Sequence, residues 1–312
     1  MPELGIVIPT RGRRLGTLRR ALRRLERQRG GAGRFEVVVA LDGVAPGPDP
    51  IEALIAQRPY PARVVRGGRP GASAARNAGW QAVSAPIVLF LDDDVLATGG
   101  LVAAHLDAHA ASPDSALGVA GHVRWSRWPP PTPFMRWLDD GIQFDFRGLA
   151  PEAEVGWWHF YTANGSVART MLERVEGFDE TRFPFGYEDL DLAARMADHG
   201  FRLRYVPAAL AEHVHFQTLA DWRVRVGRIA AAERRFCSRH PGARAYFRDL
   251  FAEALSRPPA RGGGARLAWV VPRRAPWLGP RVWASFDLWH RQQLAPGFLA
   301  AWQQAGRVED RL

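Results

Sequence analysis

Two near-continuous apolar runs open the chain, "LGIVIPT" over residues 4–10 and "FEVVVALDG" over 35–43, both rich in β-branched residues. A strand that faces water on one side alternates apolar with polar residues, whereas one that is apolar along its length needs cover on both faces. Between the runs, Leu18, Leu22 and Leu25 recur at helical spacing in "TLRRALRRLERQ", with arginine on the opposite side. Strand, amphipathic helix and strand together make the crossover unit of a parallel sheet. The pattern continues with a short strand at "PARVVRG" (61–67) and a helix at "GASAARNAGWQAV" (71–83) that has Ser73 as its expected N-cap. A further strand follows at 86–91. This alternation predicts an α/β fold, a doubly wound and mostly parallel sheet with helices on both faces.

Further along, "LVAAHLDAHAA" (101–111) reads as helix and "LGVAGHVRWS" (117–126) as strand. The stretch from Trp125 to Phe146, rich in Pro and Trp, reads as a long functional loop. "HFYTANGSVAR" (159–169) has strand composition, and "RTMLERVEG" reads as a short helix ending at Gly177. "EDLDLAARMADHG" (188–200) is an amphipathic helix with acids in its first turn and Gly200 as its stop, and "FRLRYVP" returns as a strand. From about Thr218 the chain is helical and Arg-rich, with a linker candidate at "RPPARGGGAR" (257–266). The expected division is a main domain over 1–235 and a helical appendage over 236–312.

The formal net charge of +10 favours anionic partners without choosing among them. All 42 basic residues are Arg, a bias that reads as drift in the coding DNA rather than a phosphate-binding face. No aromatic–basic recognition motif accompanies the charge, so a nucleic-acid partner is not expected. One cysteine, Cys237, excludes an internal disulfide and suggests a reducing compartment. The first residues enter a strand without a signal-like segment, and the apolar runs are strand-sized. The expectation is a cytoplasmic protein. The C-terminal Trp/Arg stretch leaves open a peripheral contact at the inner face of a membrane, beside a packed cap or a dimer contact.

Three consecutive carboxylates, Asp92, Asp93 and Asp94, follow the strand "IVLFL". In open α/β sheets, ligands sit at the carboxyl ends of strands, where Asp42 also falls. Two carboxylates about 4 Å apart repel by roughly 4 kcal/mol at an effective dielectric of about 20. The cluster therefore fans into water, shares protons, or holds a cation. A hard divalent ion would take carboxylate oxygens and leave room for phosphates. A second acidic centre, "GYEDLD", opens the helix at 188, where Glu188 and Asp189 either complement the helix dipole or do chemistry. No G-x-G-x-x-G or P-loop pattern follows any strand, so ordinary dinucleotide and P-loop readings lose support.

The order "VIPTRGR", "VVVALDG", "PGASAARNAGW", "IVLFLDDDV", "NGSVAR", "GFDETRFPFGYEDLDLAARMADHGFRLRYVP" and "EHVH" resembles the family-2 glycosyltransferases of the GT-A fold. Residues 177–205 also look like a galactosyltransferase-type C-terminal segment. The resemblance covers roughly residues 4 to 230. It implies a nucleotide-binding half over 1–125 and an acceptor half over 126–235. It further implies an inverting, metal-dependent transfer of a sugar from a UDP-, GDP- or dTDP-sugar to a carbohydrate, lipid-linked or small-molecule acceptor.

By that resemblance Asp92 and Asp94 form a D-x-D pair that holds Mn²⁺ or Mg²⁺. His213 of "EHVHF" is the third ligand, with His215 as runner-up. Asp93 lies near the ribose. Pro9, Thr10, Arg11 and Asp42 line the nucleoside pocket, although Asp42 also suits an ordinary Asp-Gly turn. Arg76 and Asn77 stand beside the nucleotide, with the alternative that Arg76 simply partners the acids. Asp189 takes the acceptor proton, and Glu188 orients it. Trp157, Trp158, Asn164, Gly165, Phe185 and Gly186 border the acceptor, the two tryptophans reading equally well as core. Other readings are a retaining GT-A transferase and a non-catalytic nucleotide-sugar or anionic-ligand binder. A sugar-phosphate nucleotidyltransferase would want a reactive Lys, which the sequence lacks.

Overall fold

Leu4, Ile6 and Ile8 bury one face of the first strand, β1 (Leu4–Thr10), and Val7 buries the other. The same division runs through β2 (Phe35–Leu41) and β4 (Ile87–Leu91), which explains why these runs are almost wholly apolar, buried Glu36 in β2 accepting from the Ser84 and Ala85 N–H groups. On one face lie α1 (Leu15–Leu25), α2 (Pro50–Ile55) and α4 (Leu101–Ala110), through Leu18, Leu22, Ile51, Leu54, Leu101 and Leu106. On the other lie α3 (Ala72–Ala82), α6 (Arg169–Arg174) and α7 (Glu188–Ala197), through Ala75, Trp80, Met171, Leu172, Leu192 and Met196. Each fully buried Leu, Ile or Met side chain among them contributes about 1.5–3 kcal/mol. Helix α3 packs especially close: a Cβ on Gly79 would meet Val7 at 2.3 Å.

This computed structural model describes residues 1–30, 33–43, 50–112, 114–262 and 267–309. The remaining strands are β3 (Ala62–Arg66), β5 (Val95–Ala97), β6 (Leu117–Trp125), β7 (Glu154–Val155), β8 (Asn164–Ala168) and β9 (Arg202–His213). Among the described residues they form a nine-stranded sheet in the order β3-β2-β1-β4-β8-β6-β9-β5, with β7 also pairing β9. The first four strands in that order are parallel. Strand β8 runs antiparallel to both neighbours, and β6 pairs β9 in parallel.

The chain divides into two compact units, Met1–Pro129 with Asp139–His215, and Pro130–Leu138 with Phe216–Leu312. The second contains α5 (Pro133–Leu138), α8 (Leu219–Arg239), α9 (Tyr246–Ser256) and α10 (Leu278–Glu309). Helix α8 starts at a capping box between Thr218 and Asp221. Buried Glu233 accepts from the backbone N–H groups of Phe247 and Arg248, at 2.7 and 3.0 Å, and so ties α8 to the start of α9. Phe251 and Phe298, 5.0 Å apart, lie in its core.

Several expectations shift in detail. The boundary expected at 235 falls inside α8, and the compact units part at His215/Phe216. The Trp125–Phe146 stretch begins on strand β6 and includes α5, so it is not one loop. Within 159–169 only Asn164–Ala168 is strand, and Trp157–His159 is a 3-10 turn. The strand expected at 201–207 continues to His213 because β6 and β5 pair with its second half. Gly71, at φ 138°, caps α3, while the Ser73 hydroxyl donates to the Phe183 carbonyl. Of the linker candidate, residues 263–266 lie outside the described residues.

Candidate active site

Sheet register brings the acids to their neighbours. Strands β1 and β4 pair Val7 with Phe90, so three residues further Thr10 stands level with Asp93. The Thr10 hydroxyl donates to Asp93 Oδ2 at 2.5 Å. The Asp42 N–H donates to the Thr10 carbonyl at 2.7 Å, and its carboxylate accepts from Arg11 Nε (2.8 Å) and the Gly71 N–H (2.5 Å). Antiparallel β5 and β9 pair Val95 with His213, and the Val214 N–H donates to the Asp94 carbonyl at 2.9 Å. Asp94 is thereby held between two histidines that share one side of the extended chain.

The three carboxylates point three ways, which relieves their repulsion. Asp92 turns to Arg76, Asp93 to Thr10, and Asp94 to Arg14, His213 and His215. Burial pushes the Asp93 carboxyl up to about 6, against the Thr10 hydrogen bond. Burial also opposes ionisation of Asp94. The hydrogen bond and charge of His213, with the charge of Arg14, outweigh it and hold this carboxyl at about 2.

Asp94, His213 and His215 each offer a donor atom within 4.8 Å of the others. Asp94 Oδ1 lies 3.4 Å from His213 Nε2, and Oδ2 lies 3.5 Å from His215 Nδ1. Donors bound at about 2.1 Å to one ion lie roughly 3 Å apart when adjacent, so the set fits a divalent cation after slight closure. The His213 ring stacks on Trp125 at 4.7 Å. The expected ligand Asp92 is not in this set, because the Arg76 guanidinium draws it away. His213 and His215, the two expected alternatives, both converge on Asp94.

Arg76, 4% exposed, joins the two acidic centres. Its Nη2 donates to Asp92 Oδ1 and its Nη1 to Glu188 Oε1, both at 2.9 Å. Glu188 Oε2 and Arg76 Nε are buried without a hydrogen-bond partner, which marks this bridge as an incompletely paired polar spot inside the fold. Tyr187, at φ 63°, precedes α7, and Glu188, Asp189 and Asp191 occupy the first helical turn. Burial, then the negative charge of Glu188, push the Asp189 carboxyl up to about 7.

The loop before α7 is tied to the start of α3 by the Ser73 bond and by Ala72 N–H donating to the Pro184 carbonyl at 2.9 Å. These ties bring half-buried Phe185 and Gly186 next to the acids. The turn carrying half-buried Trp157 and exposed Trp158 packs against α7, with Trp157 against the core on that face of the sheet.

Other expected residues are engaged elsewhere. Asn164, 1% exposed, donates to the Ala209 and His122 carbonyls and faces His105 Nε2 through Oδ1 at 3.0 Å. Gly165 packs where a Cβ would lie 2.8 Å from the Tyr161 carbonyl. Asn77 binds the backbone of Phe178 from both ends of its amide and receives the Trp80 indole, so it fastens a loop instead of presenting an open ligand group. Pro9 is buried within β1. Conversely, sequence reasoning missed Arg14, which donates to Asp94 Oδ2 and His215 Nε2, both at 2.9 Å. Its only sequence signal was the cluster of arginines after strand one.

Residues 5–160, half of the chain, match the model for glycosyl transferase family 2, and residues 150–219 match the model described as the N-terminal domain of galactosyltransferase. The chain is 31% identical over 204 residues to a pre-mycofactocin glycosyltransferase of Mycobacterium tuberculosis, covering 64% of this chain and 40% of that protein. It is 31% identical over 229 residues to a validoxylamine A glucosyltransferase of Streptomyces hygroscopicus, covering 64% and 52%. The chain thus spans about half the length of the curated relatives it matches. Among solved structures it resembles a mannosyltransferase from Pyrobaculum calidifontis in complex with GDP-Man and Mn²⁺. The TM-score is 0.60 at 18% identity, covering 96% of this chain and 87% of that one. It also resembles S. aureus TarS, with a TM-score of 0.52 at 14% identity over 94% and 55%. These likenesses establish the GT-A-type fold.

Proposed function

The chain belongs to glycosyl transferase family 2, and from that premise we propose that it transfers a sugar, with inversion, from a nucleoside-diphosphate sugar to an acceptor hydroxyl. The observation that carries this reading is the Arg76 bridge. One buried guanidinium sets the candidate base helix beside the strand-end acids, so donor and acceptor chemistry share one place.

Thr10, Arg11, Asp42 and Asp93 line the strand ends where the nucleoside would lie. Asp94, His213 and His215 would hold the divalent cation, which when bound neutralises charge developing on the diphosphate leaving group. Two imidazoles with one carboxylate suit Mn²⁺ better than Mg²⁺, which prefers an all-oxygen shell. The mannosyltransferase solved with GDP-Man and Mn²⁺ supports this class of donor.

Asp189, at the mouth of α7, takes the proton that the acceptor hydroxyl loses as it attacks. Glu188, held by Arg76, keeps the helix start in register. Phe185, Trp157 and Trp158 offer aromatic faces to the acceptor, and Gly186 leaves room beside Phe185. The test is a calorimetric screen of UDP-, GDP- and dTDP-sugars with and without Mn²⁺. Binding of one class only with the metal, abolished in Asp94→Ala, is the expected outcome. Equal binding in chelator would remove the cation from the reading.

A further inference from the structure

Within the second unit, residues 267–279 present large apolar side chains to solvent. Trp269 is 66% exposed, Val270 75%, Trp277 87% and Leu278 52%. Scattered exposed hydrophobics need no explanation, but a contiguous run of them marks an interaction surface. The run is built rather than frayed. Val270 and Val271 N–H groups donate to the Leu267 carbonyl, Ala275 N–H to Pro272, and Gly279 N–H to Ala275, at 2.8 to 3.0 Å. The indole of buried Trp283 donates to the Val271 carbonyl at 3.2 Å, and the Arg273 guanidinium lies 5.9 Å from that ring's centre. Trp277 itself is held at φ 61°, a left-handed conformation disfavoured for so bulky a residue, and its ring points outward.

Charge says what this surface fits. From Ala254 to Phe286 the sequence has six arginines, at 257, 261, 266, 273, 274 and 281, and no acid. Arg273 and Arg274, both exposed, stand between the two tryptophan-bearing turns. Tryptophans flanking arginines match the headgroup layer of an anionic bilayer, where amphipathic rings settle at the interface and guanidinium groups meet phosphate. A second copy of this surface would set like charges face to face. No helix among the described residues is long and apolar enough to cross a membrane, so the contact is one of surface docking.

We propose that the 267–279 turns dock the protein on an anionic membrane surface, with Trp269, Val270, Trp277 and Leu278 entering the headgroup layer and Arg273 and Arg274 engaging lipid phosphates. The test is co-sedimentation of the full chain with vesicles of phosphatidylcholine alone or mixed with phosphatidylglycerol. Binding is expected to the anionic vesicles only, weakening as salt rises. It should fall by about tenfold or more in Arg273→Glu/Arg274→Glu, since each basic residue is worth about one factor of five at such a surface. Trp269→Ser/Trp277→Ser should weaken it comparably, with circular dichroism unchanged. If a double variant fails to fold, Val270→Ser and Leu278→Ser, each exposed, carry the same expectation. The proposal fails if wild-type protein stays in the supernatant or if folded variants sediment as well as wild type. It also fails if light scattering shows a dimer that Trp277→Ser dissolves.

Discussion

Arg14 occupies the candidate cation site from one side, with nitrogens 2.9 Å from Asp94 Oδ2 and His215 Nε2. A guanidinium only donates, so His215 Nε2 accepts, and a neutral ring then carries its proton on Nδ1, the nitrogen facing Asp94. A bound cation needs that nitrogen bare. Arg14 and the metal are therefore alternatives, and Arg14→Met should tighten Mn²⁺ binding to nucleotide-free protein. The gain is up to about fivefold, because an ion pair with a half-exposed partner is worth only about 0.2–1 kcal/mol. Calorimetry with Mn²⁺ alone reads this directly, and weaker binding would mean that Arg14 supports the ion. At Asp189 the sign runs with pH. Its carboxyl is pushed up to about 7, and a base works only when ionised, so kcat should climb as pH rises through that value and then level. Asp189→Asn should bind donor normally while kcat drops roughly 10²–10⁴-fold. A flat pH–rate profile from about 5.5 to 8 would place the base elsewhere. That Asp94, Arg76 and Asp189 gather at the strand ends was legible because each sits in a recognisable local motif. Arg14 was not, being one arginine among several in "TRGRR", distinguished only by a contact 80 residues away.

At the scale of elements, β1, β2 and β4 with helices α1 and α3 could be read from periodicity because burial on both faces of those strands leaves no other pattern. The short helix α2, with only Ile51 and Leu54 buried, was not read. The second half of the sheet was harder. Strand β8 is five residues long, antiparallel to both neighbours, and carries Asn and Ser into a buried layer. "NGSVAR" therefore looked like a site lining, whereas Asn164 is a rivet between strands. It donates to the Ala209 carbonyl on β9 at 2.8 Å and to the His122 carbonyl on β6 at 3.2 Å, and pairs with His105 on α4. Asn164→Leu leaves those partners unsatisfied, at about 1–3 kcal/mol for each buried group, so a stability loss near 3 kcal/mol is expected. Urea denaturation measures it. An unchanged midpoint with a raised acceptor KM would return Asn164 to the acceptor site.

For the whole molecule, the same buried polar layer links stability to pH. His105 Nδ1 and His109 Nε2 both lie 2.8 Å from Ser166 Oγ, and both rings are buried. Burial holds His105 down at about 4. Burial, then the charges of His105 and Arg204, hold His109 at about 3. The unfolded chain binds a proton on each ring near 6.5 and the folded one does not, so between those values the unfolded state is the more protonated. The stabilisation is present above about 6.5 and is lost as pH falls through about 4 and then 3. Asp93 and Asp189 act in the opposite sense. Raised to about 6 and about 7, they favour the folded state at low pH and lose that contribution as pH rises through those values. The wild-type curve alone therefore mixes two trends. Subtracting the curve of His109→Gln isolates one imidazole. The stability difference between wild type and variant should be constant above about pH 6.5 and shift steadily against wild type below it, as wild type alone must hold an unprotonated His109. Urea midpoints taken across that range measure the difference. If it stays constant down to about pH 4, the ring is protonated in the folded state, and this layer does not set the acid limit of the fold.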